Sequence, residues 1–403
     1  MNNTVVRHQK LRRNFYLMFW INAFLNVKLI AMIATVFYLH RGMTNTEIFF
    51  TSIVWSVVMI ILEMPSSYLA DKWGRKKLIV LGCLFNICTL VVYLFSWGFW
   101  LNALGVAFLA ASFASFSGTD EALIYDTGKE LGEGKESFKN LGKFYAGQRV
   151  FKMFTPIIAT FIVKDLTVQQ FDLLIYLDMA TVLIALFMAI KLTEPNHFMD
   201  VEKMEKGVFH DARHLLEMHP EMKKAMLSRT LIFISGFIVW RIQQDYFLDL
   251  GISLFVVGIF WGLTQLIVYV GTKGLHKLEK RNTVTHMINS FNLLFVFVLG
   301  IFVICGYNWT FPLLLIALNS LFQAIEAIRW PIYSYYFNEK SASYNRATTL
   351  SLTSLLKIVL DIPLLFLAAW LVSYDNRYVF VLALVLAIIV YGSTMLKPLA
   401  KEA

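Results

Sequence analysis

Long apolar runs fill most of the chain, and short polar or charged segments separate them. Twelve runs meet the length of about 20 mostly apolar residues that a membrane-spanning helix requires. They cover residues 14–39, 46–69, 78–97, 99–124, 144–163, 172–192, 226–249, 253–273, 284–305, 311–337, 347–373 and 378–396. Strands of an outer-membrane barrel would instead have about 10 residues of alternating polarity. The pattern therefore predicts an all-α polytopic membrane protein with twelve transmembrane helices.

A polar stretch divides the twelve runs into two sets of six. It predicts an N-terminal six-helix bundle over 1–190, a cytoplasmic linker over 191–225 and a C-terminal six-helix bundle over 226–403. Leu215, Leu216 and Met218 lie among charged residues of the linker, which favours a short helix on the membrane surface. Two halves of this kind form a cavity near the middle of the membrane that can open to either side.

The placement of lysine and arginine predicts the orientation. With the N-terminus in the cytoplasm, 27 of the 36 basic residues fall in cytoplasmic segments, and the outer loops hold only Arg41, Lys164 and Arg377. The positive-inside rule then predicts a multi-pass protein of the cytoplasmic (inner) membrane with both termini in the cytoplasm. Because the basic residues are spread over topology signals, the net charge of +9 does not indicate a nucleic-acid partner.

The composition excludes several other classes. Of the 403 residues 58% are hydrophobic and 16% are charged, which is too little charge to cover the surfaces of soluble domains. His210, His214 and His219 lie in the linker, but no cysteine or well-placed third ligand accompanies the helical spacing of the first two. No metal site and no cofactor are therefore predicted.

Ionisable residues inside the apolar runs are candidates for the mechanism, because a charge within the bilayer is costly. The acids that are candidates for proton coupling are Glu63, Asp120, Glu121, Asp245 and Asp361, and their candidate partners are Lys28, Arg149, Lys152, Arg241 and Lys357. Asp178 stands isolated in its run. Three pairs lie three or four positions apart on one helix face, namely Arg241 with Asp245, Glu326 with Arg329, and Lys357 with Asp361. Each pair either neutralises itself or changes partner as a cavity opens and closes.

One acid is expected to exchange a proton in each cycle. Burial raises the pKa of a carboxyl group and a nearby cation lowers it, so a site that alternates between these surroundings binds and releases a proton. We expect Glu63 or Glu121 to play this part, balanced by Lys28, Arg149 or Lys152.

The substrate cavity is predicted to be aromatic and rich in amides. Its candidate residues are Asn22, Asn26, Trp240, Gln243, Gln244, Trp261, Gln265, Asn319 and Gln323. The amides serve equally well as hydrogen bonds between helices, and the tryptophans as packing residues. A pocket with aromatic faces, amides and both signs of charge suits amphiphilic organic molecules.

The segment from Glu63 to Lys77 carries the most specific motif. Gly74 permits a tight turn, and Asp71 can accept hydrogen bonds from Arg75 or from a helix N-terminus. The segment resembles the loop signature between the second and third spans of the major facilitator superfamily. Glu63 with Pro65 is similar to the drug-exporter-like bacterial branch of drug:proton antiporters, although Ser66 and Ser67 stand where that branch usually has Thr-Gly.

The resemblance implies the major facilitator fold and a set of conformational contacts. In that family the cluster of Asp71, Gly74 and Arg75 is a cytoplasmic latch that engages span eleven. Three further stretches resemble the same branch, and they contain the expected gating residues Asp126, Glu326, Arg329 and Arg346. Antiporters of the family often carry an arginine in span four, whereas no lysine or arginine lies between Trp97 and Thr127.

Together these features predict a secondary active transporter that works by alternating access. The expected activity is proton-coupled export of amphiphilic organic compounds, such as drugs or natural products. The alternative is a uniporter or a proton symporter that imports a small polar metabolite. A membrane-embedded enzyme or sensor is a third class, but no catalytic constellation stands out and the protein is not expected to be an enzyme. The expected partners are the lipid bilayer, a small-molecule substrate and protons, and the protein is expected to be a monomer.

Overall fold

The computed structural model describes residues 3–133, 137–148, 150–196, 220–279, 282–308, 311–340 and 346–396. Every regular element in this part of the chain is a helix. In chain order they are α1 (Asn3–Leu25), α2 (Leu29–Met32), α3 (Ala34–His40), α4 (Asn45–Trp73), α5 (Arg75–Phe95), α6 (Gly98–Phe116), α7 (Thr119–Glu130), α8 (Ser137–Gly147), α9 (Thr155–Ile162), α10 (Val168–Ile190), α11 (Pro220–Asp249), α12 (Leu254–Glu279), α13 (Val284–Asn308), α14 (Pro312–Lys340), α15 (Arg346–Val372) and α16 (Asn376–Ser393).

The helices are those of a membrane protein. Within the described ranges, nine helical segments are long and apolar enough to cross a membrane. The other three predicted spans correspond to the interrupted segments α1–α3 and α8–α9 and to α15. Large apolar side chains such as Trp100 and Phe95 are 82% and 73% exposed, as expected where a helix faces lipid rather than protein. The prediction of an all-α polytopic membrane protein is thereby confirmed.

The packing divides the chain into two units. One comprises Met1–Glu47 and Thr51–Met199, and the other comprises Ile48–Phe50 and Asp200–Ala403. Residues 197–219, which include most of the predicted surface helix and His210, His214 and His219, lie outside the described residues. The last residues of the predicted linker are helical, because α11 begins at Pro220.

Three of the predicted spans in the first unit are interrupted. Span one breaks after Leu25 and resumes at Leu29, and Lys28 adopts a left-handed backbone conformation with a φ of 46°. Span four breaks at Gly118, which has a φ of 72°. Span five is helical up to Gly147 and again from Thr155.

Span two shows the opposite deviation. Thr44 and Glu47 form a reciprocal capping box at the start of α4. The helix then continues through Pro65 to Trp73, so the predicted loop residues Asp71 and Lys72 are helical. Gly74 alone connects α4 to α5, and its φ of 101° favours glycine.

The second unit contains α11–α16. One of its apolar clusters combines Met226 of α11, Ile288 of α13, and Tyr333 and Phe337 of α14. At another level Tyr246 packs edge-on against Phe380, with ring centroids 4.9 Å apart. The helices that these contacts join also carry buried polar groups of this unit.

Candidate functional site

A cavity of about 110 Å³ lies inside the first unit. It is bordered by α1, α4, α5, α6, α7 and α8 and by the break in span one. Its aromatic wall consists of Trp55, Phe113, Phe116 and Phe144. Its polar lining consists of Asn22, Asn26, Lys28, Asn86, Ser112, Asp120 and Gln148. The cavity thus presents aromatic faces, amides and one charge of each sign.

A second cavity of about 30 Å³ shares part of this lining. Lys28 and Asn86 border both cavities, and Asp178 borders only the smaller one. Lys28 takes this position because the helix of span one is interrupted at this residue. The break therefore places an ammonium group between two internal spaces.

The predicted amide pair of span one lies at the larger cavity. The Asn22 side-chain amide donates to the backbone carbonyl of Phe144 at 2.8 Å, which links α1 to α8. The Asn26 amide donates to the Asn22 side-chain oxygen at 2.9 Å. Asn22 and Asn26 thus share one face, and part of their hydrogen-bonding capacity is used within the protein.

The structure separates the acids that are candidates for proton coupling in this unit. Asp120 lines the larger cavity, in the first turn of α7. Glu121 points elsewhere, because its side chain is exposed and accepts a hydrogen bond from the Tyr145 hydroxyl. Glu63 is half-buried in α4 and does not belong to the lining of either cavity. Of these three acids, only Asp120 reaches the cavity that Lys28 borders.

The other predicted partners in span five are less informative. Lys152 lies partly buried in the turn between α8 and α9. Arg149 lies outside the described residues. Lys28 is thus the predicted charge partner that the structure places in a cavity with an acid.

Asp178 has a role at the break in span one that the sequence pattern did not reveal. Its two carboxylate oxygens accept the backbone N–H groups of Leu29 and Ile30 at 2.7 and 2.9 Å. These N–H groups have lost their helical acceptors because span one is broken just before them. The acid that looked isolated therefore stabilises the break, and its only sequence signal was its presence in an apolar run.

The predicted latch has different partners from those expected. The buried Arg75 guanidinium forms an ion pair with Asp126 and donates to the Ala122 carbonyl. The backbone N–H groups of Arg75 and Lys76 donate to Glu194, each at 2.8 Å. Asp71 is exposed, and the two groups expected to donate to it, Arg75 and the N-terminus of α5, bind Asp126 and Glu194 instead. Glu194 takes the position at the helix N-terminus because Gly74 leaves room for it: a Cβ on Gly74 would lie 3.0 Å from the Glu194 carboxyl carbon.

The segment after α10 is held by further polar contacts of the same unit. Asn14 exchanges two hydrogen bonds with the backbone of Thr193, at 2.8 and 2.9 Å. Arg7 pairs with Glu130, which also accepts the backbone N–H of Asn196 at 2.7 Å. The start of the predicted linker is therefore part of this polar network.

The second unit contains a buried network around Arg329. The guanidinium donates to the Asn292 side-chain oxygen at 2.7 Å and to the Tyr333 hydroxyl at 3.3 Å. The Asn292 amide donates to Ser228 at 2.9 Å. The predicted ion pair between Glu326 and Arg329 is not formed, because Arg329 reaches across to α13 instead. Glu326 is partly buried in α14.

Replacing Asn292 with leucine should lower the free energy of unfolding by about 2–4 kcal/mol. The change removes the acceptor of Arg329 and the donor to Ser228, and each of these groups is at most 3% exposed. Denaturant unfolding of the purified protein measures the effect. Tyr333→Phe, which keeps the Asn292–Arg329 bond, should cost less. Equal losses in both variants would contradict a network centred on Asn292.

The remaining candidates of the second unit occupy several separate sites. Lys357 and Asp361 form the predicted ion pair, and Asp245 accepts a hydrogen bond from Asn376 at 3.0 Å. Asn319 donates to Gln243, Gln323 donates to the Gly236 carbonyl, and Trp240 stacks on Trp261 with centroids 6.3 Å apart. Arg241 and Gln244 are buried, Gln265 is partly buried, and Arg346 begins α15. Among the described residues no group of three metal-binding side chains comes together.

A helical bundle with an internal polar cavity and buried charges defines the class of this protein: it is a multi-pass membrane transporter. Residues 15–357 match the family model of the Major Facilitator Superfamily, and the chain belongs to this family. The transporter class, the twelve-helix architecture and the family are thus established together. The Major Facilitator Superfamily was predicted from the loop motif, and that prediction is confirmed.

Several solved structures are similar over nearly the whole chain. A mutant form of the nucleoside transporter NupG has a TM-score of 0.76 at 11% identity, with 96% of this chain and 99% of that chain covered. The D-xylose–proton symporter has a TM-score of 0.70 at 12% identity, with 97% of each chain covered. A bacterial homolog of the human lysosomal transporter Spinster has a TM-score of 0.70 at 13% identity, with 98% and 97% covered. No curated protein sequence matches the chain significantly. At these identities the likeness concerns the fold.

Proposed function

We propose that the protein is a secondary active transporter that exports amphiphilic organic compounds in exchange for protons by alternating access. The observation that carries this proposal is the cavity of the first unit, where Trp55, Phe113 and Phe144 face amides and two charged groups. Aromatic surfaces bind the apolar part of an amphiphile, and the polar groups orient its other end. The similarity of Glu63 and Pro65 to the drug-exporter branch supports the direction.

Asp120 is the acid that we assign to proton coupling. It lines the cavity, and its oxygen accepts the backbone N–H of Glu121 at 2.7 Å. A carboxyl group in a dry cavity favours the proton, whereas water or a nearby cation favours the carboxylate. An opening and closing cavity that contains Lys28 supplies both conditions. Proton exchange at Asp120 can therefore follow the conformational cycle.

Proton-coupled import of a small polar metabolite is the second candidate. Amides and hydroxyls such as Asn22, Asn86 and Gln148 form much of the lining, and they suit a polar solute. Among the similar structures, one is described as a D-xylose–proton symporter and one as a nucleoside transporter.

We also propose that the protein lies in the inner membrane, that both of its termini are cytoplasmic and that it is a monomer.

Asp120→Asn should reduce substrate-driven proton flux at least about tenfold, because the asparagine cannot carry a proton. A growth and accumulation screen, in cells with and without the protein, first identifies a transported compound. Proteoliposomes that contain a pH-sensitive dye then measure the flux, and its sign distinguishes export from import.

Glu63→Gln and Glu121→Gln serve as matched controls in this assay. Both remove a carboxyl group from the same unit, and neither residue lines the cavity. Normal flux in Asp120→Asn, or loss of flux in a control alone, would overturn the assignment of Asp120. A screen without any transported compound would overturn the proposed function.

A further inference from the structure

The cavity of the first unit contains two opposite charges that the protein does not pair with each other. Lys28 and Asp120 both line it. Among the described residues, neither side chain belongs to an ion pair. Four arginines of the same unit, by contrast, each pair with an acid: Arg7, Arg12, Arg41 and Arg75. The two cavity charges thus differ from these four arginines.

Asp178 is an alternative partner of Lys28, because both residues border the smaller cavity. Both oxygens of Asp178 already accept backbone N–H groups, at 2.7 and 2.9 Å. Asp178 therefore contributes to the local field but forms no ion pair with Lys28. An anionic group of a ligand in the larger cavity therefore finds the ammonium group without an ion-pair partner among the described residues.

Neutral groups beside the two charges also remain available. Asn86 lines both cavities and has no hydrogen-bond partner among the described residues. Trp55 and Phe113 supply an apolar surface in the same cavity. A bound molecule therefore meets a cation, an anion, a free amide and an aromatic wall in one space.

We propose that this cavity binds a small zwitterion, with its anionic group at Lys28 and its cationic group at Asp120. The inference deepens the proposed function and rests on it for the step of transport. A desolvated charge is stabilised most directly by a partner of opposite sign. A zwitterion compensates both charges, whereas a cation, an anion or a neutral molecule leaves at least one of them uncompensated. After Asp120 has released its proton, its carboxylate binds the cationic group of the ligand.

Two sets of probes with matched carbon skeletons test the preference. The aromatic set is phenylalanine, 2-phenylethylamine, 3-phenylpropanoate and 3-phenylpropanamide, and the aliphatic set is leucine, 3-methylbutylamine, 4-methylpentanoate and 4-methylpentanamide. At the same concentration, a ligand that binds more tightly raises the unfolding temperature of the purified protein further. We expect the zwitterion of at least one set to stabilise the protein more than its three relatives. If neither zwitterion does so, the proposal is overturned.

Two variants test the assignment of each charge. The unfolding temperature of a variant with a probe is compared with that of the same variant without a probe, so differences in basal stability do not affect the result. Lys28→Gln should weaken binding of the zwitterion about tenfold or more and leave the cation as the preferred probe. Asp120→Asn should instead leave the anion as the preferred probe. Lys191→Gln and Asp165→Asn change exposed residues of the same unit and should keep the wild-type order. An unchanged order in Lys28→Gln and Asp120→Asn would contradict the assignment.

The outcome is distinguishable from failure of the proposed function. Proton-coupled transport without a preference for zwitterions would overturn this inference and leave the transporter proposal intact. Preferred binding of zwitterions without proton flux in proteoliposomes would support the binding site and overturn the proposed coupling.

Discussion

Asp126→Asn should lower the free energy of unfolding of the first unit by about 3–5 kcal/mol. The variant leaves the Arg75 guanidinium buried with no carboxylate to balance it, since the two side chains are only 3% and 4% exposed. Breaking a buried ion pair on one side is costly, because the remaining charge cannot regain its water. Denaturant unfolding in detergent, followed by circular dichroism, measures the loss.

Glu133→Gln is the control for this prediction. Glu133 also pairs with an arginine, but its partner Arg12 is 72% exposed, so the loss should stay below about 1 kcal/mol. The double replacement Arg75→Met with Asp126→Leu should be less harmful than Asp126→Asn alone, because it removes both charges. Equal losses for Asp126→Asn and Glu133→Gln would show that burial of the pair is not what matters.

Asp178→Leu should lower the free energy of unfolding by about 2–5 kcal/mol and abolish transport. Leucine removes the acceptor of two backbone N–H groups at the break in span one. Inside a membrane such groups have no water to replace the carboxylate. Unfolding curves and the flux assay of the same preparation measure the two effects.

Asp178→Asn should have an intermediate effect, since its amide keeps one acceptor oxygen. Thr181→Val controls for disturbance of the smaller cavity, which Thr181 also lines, and removes one local hydrogen bond. It should cost about 1 kcal/mol. A loss in Thr181→Val as large as that in Asp178→Leu would contradict a specific role of Asp178 at the break.

The sequence predicted the spans well because each is a long apolar run, and hydrophobic length is a local property. The break in span one was not predictable in this way. Asn26, Val27 and Lys28 include neither glycine nor proline, and the residue that stabilises the break lies 149 positions away from Leu29. Gly118 offered a local signal for the break in span four, although a single glycine within a long apolar run is common.

The pairs of buried charges show the same limit. Lys357 and Asp361 form the pair that their helical spacing predicts. Glu326 and Arg329 have comparable spacing, but Arg329 bonds to Asn292 on another helix. Spacing along one helix shows which residues share a face, and only the tertiary structure shows what that face meets.

The candidate site was partly predictable. Lys28, Asp120, Asn22 and Asn26 were all expected as mechanistic or cavity residues, and the structure places the four at one cavity. The preference for Glu63 and Glu121 over Asp120 relied on depth in the span, which does not show the direction of a side chain. Asn86, Ser112 and Gln148 were missed because small polar residues are frequent at helix contacts.

The left-handed backbone of Lys28 places two demands on one position. At a φ of 46° lysine adopts a conformation that costs free energy, whereas asparagine tolerates it better. A variant library that is selected only for heat resistance should therefore enrich asparagine at position 28, and selection for transport should retain lysine. A substitution at Lys28 that makes this transporter more thermostable is therefore expected to lower its activity.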